Sequence, residues 1–291
     1  MCGIVGIISS ESIKKRELTQ KGLKMLNKIN HRGPDESKFL CEDGFFLGSV
    51  RLAIEAVSYS SQPIENRQFI CGLNGEIFNY KKLINEFFSK QNISSEVELI
   101  INLWQLKKEK IVDYIKGQYA IYIYDKIANK VFLFRDNFGI RPIYYYLDKK
   151  NNFFFASEIK SIVSSNKKKF KINHNSISNI CAFWTNIGKN TSIKDIYTLE
   201  PGHFLEYSAR GKIIIKKFKK ELFENKKNNE KLTSNDLFEN FKKSVLNQLQ
   251  SDVGYATYLS GGIDSSALAY VLSKLSKNKL DAFAVGFKDK E

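Results

Sequence analysis

The sequence predicts two domains of different class: stacked antiparallel sheets flanked by helices, then an incomplete parallel α/β sheet. Three observations carry this reading. Short aromatic strands recur in hairpins between two groups of helical segments. A polar, lysine-rich stretch from about Lys216 to Thr233 interrupts that pattern. After it, a strand, a glycine turn, a helix and a second apolar strand follow in order, as in a β-α-β unit with parallel strands.

Taken in order, residues 2–9 read as a strand, and 16–29 as a helix with Leu18, Met25, Leu26 and Ile29 at helical spacing. His31 to Asp35 is a Gly-Pro turn. Glu42-Asp43-Gly44 joins Phe39-Leu40-Cys41 to Phe45-Phe46-Leu47 as a hairpin. Helices are predicted near 79–89 and 96–108. Gly117 to Asp125 alternates as a strand and pairs across Lys126–Lys130 with Val131–Arg135. Aromatic strands follow at 143–147 and 153–156. The division is 1–213, a linker at 214–234, and 235–291. The last part holds a helix at 235–250, a strand at Tyr255–Leu259, a helix at 264–276 and a strand at 281–287. A single β-α-β unit leaves its sheet faces and edges uncovered, so this domain reads as incomplete.

The 291 residues are 43% hydrophobic and 13% aromatic, enough for a real core. No apolar run approaches the ~20 residues of a membrane span, and no signal peptide is read. Cys2, Cys41, Cys71 and Cys181 lie far apart, with neither metal-ligand spacing nor a pairing framework. A reducing cytoplasm fits that usage. His31, His174 and His203 are scattered, so no protein-held metal is expected. The net charge of +15 comes from lysine clusters in polar connections, such as Lys167-Lys168-Lys169 and Lys226-Lys227. Lysine-rich drift explains it better than nucleic-acid binding.

Cys2 follows Met1 directly. Trimming of Met1, usual before a small second residue, gives one residue a thiol and a free α-amine. That amine has a pKa of about 7.7–8, so it can take the thiol proton near neutral pH. The thiolate can then attack a carbonyl without a catalytic histidine. The ordinary alternative is a small cysteine buried in an apolar strand.

Other segments favour the nucleophile. Met1-Cys2-Gly3-Ile4, His31-Arg32-Gly33-Pro34-Asp35, Arg51-Leu52-Ala53-Ile54, Asn74-Gly75-Glu76-Ile77-Phe78-Asn79, Arg135-Asp136-Asn137-Phe138-Gly139-Ile140-Arg141-Pro142, Ala156-Ser157-Glu158-Ile159-Lys160, Pro201-Gly202-His203 and Ser260-Gly261-Gly262-Ile263-Asp264-Ser265-Ser266 occur in this order. With these motifs the chain resembles the class II (N-terminal-nucleophile) glutamine amidotransferases, and most closely the glutamine-hydrolysing asparagine synthetases. The resemblance implies an α+β N-terminal-nucleophile hydrolase sandwich in four layers, α-β-β-α. It also implies a pyrophosphate-loop domain of the adenine nucleotide hydrolase type, which in the family runs well beyond Glu291.

The same resemblance implies that Cys2 attacks the glutamine side-chain amide. The Asn74 amide and the Gly75 N–H would stabilise the oxyanion, although Asn-Gly alone also suits a type I′ turn. Arg51 would hold the substrate carboxylate in a guanidinium fork. Leu52, Ala53, Ile54, Glu55 and Glu76 would line the glutamine site, and Glu96 would take its ammonium. Glu96 stands where the family usually has the shorter aspartate, and Glu55-Ala56 where it has an apolar residue and then aspartate. Arg32, Asp136 and Arg141 read as scaffold.

Ser260-Gly261-Gly262 links a strand to a helix, so several N–H groups and the helix N-terminus face one point, an anion cradle. It resembles the loop of enzymes that split ATP to AMP and pyrophosphate. Ser260, Gly261, Gly262, Asp264, Ser265 and Ser266 are the expected ATP contacts, with Leu259 and Val285 flanking the adenosine and Mg2+ accompanying the phosphates near Asp264.

The implied activity is glutamine-dependent amidation of aspartate to asparagine with ATP. Two alternatives stay open: amidation of another carboxylate, such as a surface sugar acid, or a shortened chain with glutaminase or binding activity only. The uncovered sheet leaves a second copy, or a polypeptide supplying further strands, as the macromolecular partner.

Overall fold

Strand β1 (Gly3–Ile8) is buried along its whole length, and its side chains divide between two cores. Ile4 and Ile8 face one apolar cluster, whereas Val5 and Ile7 face another. That period of two makes a four-layer architecture possible. The structure, a computed structural model, describes residues 2–10, 13–54, 61–209, 211–218, 233–275 and 279–286. The chain divides into two compact units, Met1–Ala53 with Ser58–Leu222 and Ile54–Val57 with Phe223–Glu291.

In the first unit, β1 is followed by β2 (Glu36–Glu42), β3 (Phe45–Arg51), β4 (Ile64–Glu65), β5 (Phe69–Ile77) and β6 (Gly117–Asp125). Then come β7 (Lys130–Arg135), β8 (Tyr144–Leu147), β9 (Phe153–Ala156), β10 (Tyr197–Thr198), β11 (His203–Ser208) and β12 (Lys212–Lys217). They form two sheets, ordered β10-β8-β9-β1-β3-β2 and β12-β11-β7-β6-β5-β4. The ladders are antiparallel, with Val5 opposite Gly48 and Ala156, and Asn74 opposite Ala120.

Between the sheets lie Ile4, Leu47, Ile70, Tyr122, Leu133, Phe153, Phe155 and Tyr207. Phe153 stacks on Tyr207 with centroids 4.5 Å apart. Burying each such side chain stabilises the fold by about 1.5–3 kcal/mol. Helices α1 (Lys15–Ile29) and α2 (Tyr80–Phe87) pack on opposite outer faces, α1 through Leu18, Met25, Leu26 and Ile29 and α2 through Leu83. Helix α3 (Glu96–Lys107) joins α2 with Trp104, and α4 (Ile159–Ser165) joins α1 with Ile162. The α-β-β-α sandwich expected from the sequence is thus the observed fold.

The differences lie at weakly patterned segments. Helix α5 (His174–Phe183) buries only Ser176. β12 runs to Lys217, so the stretch read as a linker from 214 begins as strand. Asn74 and Gly75 lie inside β5 rather than at a turn, which removes the hairpin alternative for that pair. Val285 lies outside the last strand, which spans only Asp281–Phe283 rather than 281–287.

In the second unit, α6 (Ser234–Gln248) begins with a capping box in which Thr233 and Asp236 satisfy each other's backbone N–H groups. Strand β13 (Ala256–Tyr258), α7 (Ile263–Leu275) and β14 (Asp281–Phe283) complete a β-α-β unit with parallel strands. Its described core is small, centred on Val245, Val271 and Leu272. Among the described residues no helix is long and apolar enough to cross a membrane.

One buried carboxylate organises the turn after β7. Asp136 accepts the N–H groups of Phe138 and Ile140 at 3.0 Å each, Arg141 at 3.0 Å and Tyr119 at 3.3 Å. Removing it leaves several amides short of acceptors, and each buried unmet group costs roughly 1–3 kcal/mol. Asp136→Ala is therefore expected to lower the unfolding free energy by about 2–4 kcal/mol in urea titrations. A change below about 0.5 kcal/mol, the size of an ordinary surface substitution, would show that the turn holds without the carboxylate.

Candidate active site

Cys2 sits immediately ahead of β1, partly exposed, and two loops fix it. The Arg32 Nε–H donates to the Cys2 carbonyl at 3.0 Å, and Arg32 Nη1 pairs with Glu158 Oε1 at 3.1 Å. The thiol donates to the Leu52 carbonyl at 3.8 Å. Asp35 steadies that second loop: its N–H donates to the Arg51 carbonyl at 3.2 Å, and its carboxylate accepts the Ala53 N–H at 2.8 Å. The His31–Asp35 motif thus clamps both Cys2 and the Arg51–Ala53 segment.

Burial pushes the Cys2 thiol above its ordinary pKa, and the charges of Arg51 and Arg141 pull the other way. Glu158 shows the opposite balance. Burial raises it, but Lys160, Arg32 and His31 outweigh burial and hold the carboxyl below its usual range.

Across the sandwich, β5 presents Asn74, which has no solvent exposure. Its amide nitrogen lies 3.4 Å from the Ser157 hydroxyl, and that hydroxyl also accepts the Ile4 N–H at 2.9 Å. One hydroxyl therefore joins β5 to β1, two residues from the thiol. Asn74 Oδ1 is buried without a hydrogen-bond partner.

Gly75 is next. Its φ is +144°, and a Cβ there would stand 1.9 Å from the Gln118 carbonyl oxygen, so no side chain fits. Backbone groups of successive strand residues point to opposite sides, so those of every second residue point the same way. The Gln62 side-chain amide pairs with the Leu73 N–H and carbonyl at 2.9 Å each, on the side away from β6. On that same side, the Glu96 carboxylate accepts the Ile77 N–H. Gly75 lies between these two residues, so its N–H turns the same way.

Glu96 opens α3, where a negative charge suits the helix dipole. Arg51 ends β3, buried, with Nη1 4.0 Å from Glu36. Glu76 is half-buried at the end of β5, and Leu52, Ala53 and Ile54 are also half-buried. Glu55 lies outside the described residues. The structure thus brings Cys2, Arg51, Leu52 and Ala53 together directly, and Asn74, Gly75 and Glu96 along one stretch of β5.

The second unit gathers a separate set. Ser260–Gly262 links β13 to α7, and Gly261 has a φ of +83° that suits glycine. Ser265 Oγ lies 3.1 Å from Ser260 Oγ and donates to the Gly262 carbonyl at 3.1 Å. Leu259 donates its N–H to the Phe283 carbonyl at 2.8 Å. Leu259, the loop and Val285 therefore share the carboxyl edge of adjacent parallel strands, where α/β sheets take ligands. Asp264 and Ser266 lie in the exposed first turn of α7, whose leading N–H groups have no intrahelical acceptors. Amides and hydroxyls are the donor set a phosphate needs.

Residues 1–219 match the family model of the glutamine amidotransferase domain. The chain belongs to that family. Residues 236–291 match the asparagine synthase family model. Among curated relatives, "Asparagine synthetase [glutamine-hydrolyzing] 2" of Bacillus subtilis is 34% identical over 98% of this chain and 40% of its own length. "Asparagine synthetase B [glutamine-hydrolyzing]" of Escherichia coli is 28% identical over 97% of this chain and 46% of its own. The chain thus spans about half the length of the curated relatives it matches. Among solved structures, glutamine phosphoribosylpyrophosphate amidotransferase from B. subtilis shares the fold, with a TM-score of 0.55 and 17% identity. That alignment covers 97% of this chain and 65% of the solved one.

For this amidotransferase-family chain, sequence reasoning missed three contributors. Ser157 received no role, although a polar residue ending an aromatic strand was visible. Gln62 mimics a strand partner for β5, which no local pattern signals. Arg141 was read as scaffold; its backbone is held by Asp136, yet its charge also acts on the thiol.

Because burial favours the neutral thiol, labelling of Cys2 by iodoacetamide is expected to keep accelerating above pH 8.5, where an ordinary thiol is already about half ionised. Arg141→Gln removes a cation that lowers the pKa, so labelling at pH 8 is expected to be slower than in the wild type. Peptide mass spectrometry resolves Cys2 from exposed Cys181. A rate that levels off below pH 8 would contradict the burial argument.

Proposed function

We propose that this chain carries the glutamine-hydrolysing half and the ATP-binding loop of a glutamine-dependent asparagine synthetase. The observation supporting it most is the placement of Asn74 and Gly75 inside β5, tied through the Ser157 hydroxyl to the strand that directly follows Cys2. With Met1 removed, the Cys2 α-amine takes the thiol proton, and the sulfur adds to the glutamine side-chain carbonyl carbon. The oxyanion that forms is stabilised by the Asn74 amide and the Gly75 N–H. The intermediate then collapses: the C–N bond breaks, the ammonium returns its proton to the departing nitrogen, and ammonia leaves a glutamyl thioester. Water adds to the thioester and frees glutamate and the thiol.

The remaining groups hold the substrate. Arg51 offers its guanidinium to the glutamine α-carboxylate, and Glu96, anchored on Ile77, offers its carboxylate to the α-ammonium. Leu52, Ala53 and Glu76 line the site. At the second site, Ser260, Gly261, Gly262, Ser265 and Ser266 would take the phosphates of ATP and Leu259 and Val285 would flank its adenosine, while Asp264 would hold Mg2+ to offset the phosphate charge. Aspartate attacks ATP to give a β-aspartyl adenylate and pyrophosphate, and ammonia displaces AMP to give asparagine.

Glutamate release from glutamine by the purified chain, with intact mass showing loss of Met1, tests the first half. Cys2→Ala is expected to abolish release, and Asn74→Ala to lower kcat by about 10²–10³, as loss of an oxyanion donor does. A Cys2→Ala protein that hydrolyses glutamine at the wild-type rate would refute the mechanism.

A further inference from the structure

Ser157 directly follows β9 with no solvent exposure, and its N–H and hydroxyl are placed by the strand beside it and by Asn74. Its N–H donates to the Ile4 carbonyl at 2.9 Å, and its Oγ accepts the Ile4 N–H at 2.9 Å. The hydroxyl proton therefore needs an acceptor elsewhere. The Asn74 amide, 3.4 Å away, turns its nitrogen to Ser157 and leaves Oδ1 buried without a partner. Nitrogen would then supply a donor to a hydroxyl that already accepts one, while a proton and an acceptor within reach both stay unmatched.

The two ends of a carboxamide are nearly the same size, so hydrogen bonding decides which faces which. Rotating the Asn74 amide by half a turn resolves both mismatches. The Ser157 O–H then donates to Oδ1, and Nδ2 takes the position of the orphaned oxygen with its protons directed away from Ser157. An oxygen at that position would repel a developing oxyanion, whereas an N–H₂ group stabilises it.

We infer that Ser157 is a positioning residue: its hydroxyl accepts from Ile4, donates to Asn74 Oδ1, and so fixes Nδ2 as the donor to the reacting oxygen. This rests on the glutaminase reading above and adds to it the residue that selects the amide orientation. Ile4 pins Ser157 from the strand directly after the nucleophile, so thiol and oxyanion donor share one frame. Ser157 touches no reacting atom.

The test uses the full 291-residue chain freed of Met1, in wild-type, Ser157→Ala, Ser157→Thr and Cys2→Ala forms. Glutamine hydrolysis is measured as kcat and KM, together with inhibition by glutamate γ-semialdehyde, whose adduct with the thiol carries the same oxyanion. Ser157→Ala is expected to lower kcat roughly 10- to 100-fold and to weaken the aldehyde by a similar factor, because both need the aligned donor. KM for glutamine is expected to stay within about twofold, as ground-state binding does not use that donor. Ser157→Thr keeps the hydroxyl and is expected to restore most of kcat and aldehyde affinity.

Unchanged kcat and aldehyde affinity in Ser157→Ala would overturn the inference. So would equal losses in the alanine and threonine forms, or a loss matching the unfolded fraction seen by thermal melting. If Cys2→Ala hydrolyses glutamine as fast as wild type, the glutaminase reading itself fails, and the inference with it. That outcome is distinct from a Cys2-dependent enzyme indifferent to Ser157.

Discussion

The pairing of inner faces between the two sheets is the constraint from which the rest of the first unit follows. Ile4 and Ile8 on β1, Leu47 on β3, Ile70 on β5 and Phe153 and Phe155 on β9 can bury together in only one register. A slip by one residue would turn each of these side chains to the opposite face. The hydrophobic core therefore fixes more than stability. It sets which residues continue the inner faces at the end of the sandwich: Arg51 beyond Leu47 on β3, Asn74 beyond Ile70 on β5, and Ser157 beyond Phe155 after β9. Apolar packing deep between the sheets thus delivers polar groups to their rim, where a serine hydroxyl can bridge two strands.

Much of this was legible because the relevant patterns are local. The aromatic alternation of Gly117–Asp125 and Val131–Arg135 gives strands, and the Asp43-Gly44 turn gives their neighbours in the other sheet. The spacing of Leu18, Met25, Leu26 and Ile29 gives α1. α5 was not legible, because a helix burying only Ser176 has no apolar stripe to read. β12 hid in a lysine-rich stretch, since Ile213 and Ile215 are only partly covered at a sheet edge. At the site, Cys2, Asn74 and Arg51 stood out by residue type and motif. Ser157 did not, because its role depends on Ile4 and Asn74, residues 153 and 83 positions away.

The two units differ in how far their own residues cover their apolar surface. The first encloses three clusters between and outside its sheets. The second has Val245, Val271 and Leu272 at its centre, while Tyr258, Ile263 and Val285 are more than four-fifths exposed. A pair of parallel strands with a single crossover helix covers at most one sheet face, and parallel sheets in general are buried on both. The backbone of the Ser260–Gly262 loop nevertheless forms, because strand pairing at Leu259 and the first turn of α7 at Ser266 fix its two ends. Loop geometry and hydrophobic coverage are separable here.

Thiol chemistry at Cys2 meets two opposing demands. A nucleophile at the rim of an apolar sandwich is partly desolvated, and desolvation disfavours the thiolate. The nearby guanidinium groups lower that cost without offering a base, since arginine stays protonated. Among the described residues, the polar contacts of Cys2 run to Leu52 and Arg32, and neither can accept the thiol proton for catalysis. A base carried on the nucleophilic residue itself meets the requirement, because it moves with the sulfur and needs no side chain to be desolvated beside it. In the proposed glutamine hydrolysis, Arg51 and Arg141 would stabilise the thiolate, and the Asn74 and Gly75 donors would take over as charge passes from sulfur to oxygen. Fixed positive charge would then stand where that reaction begins and oriented dipoles where it peaks.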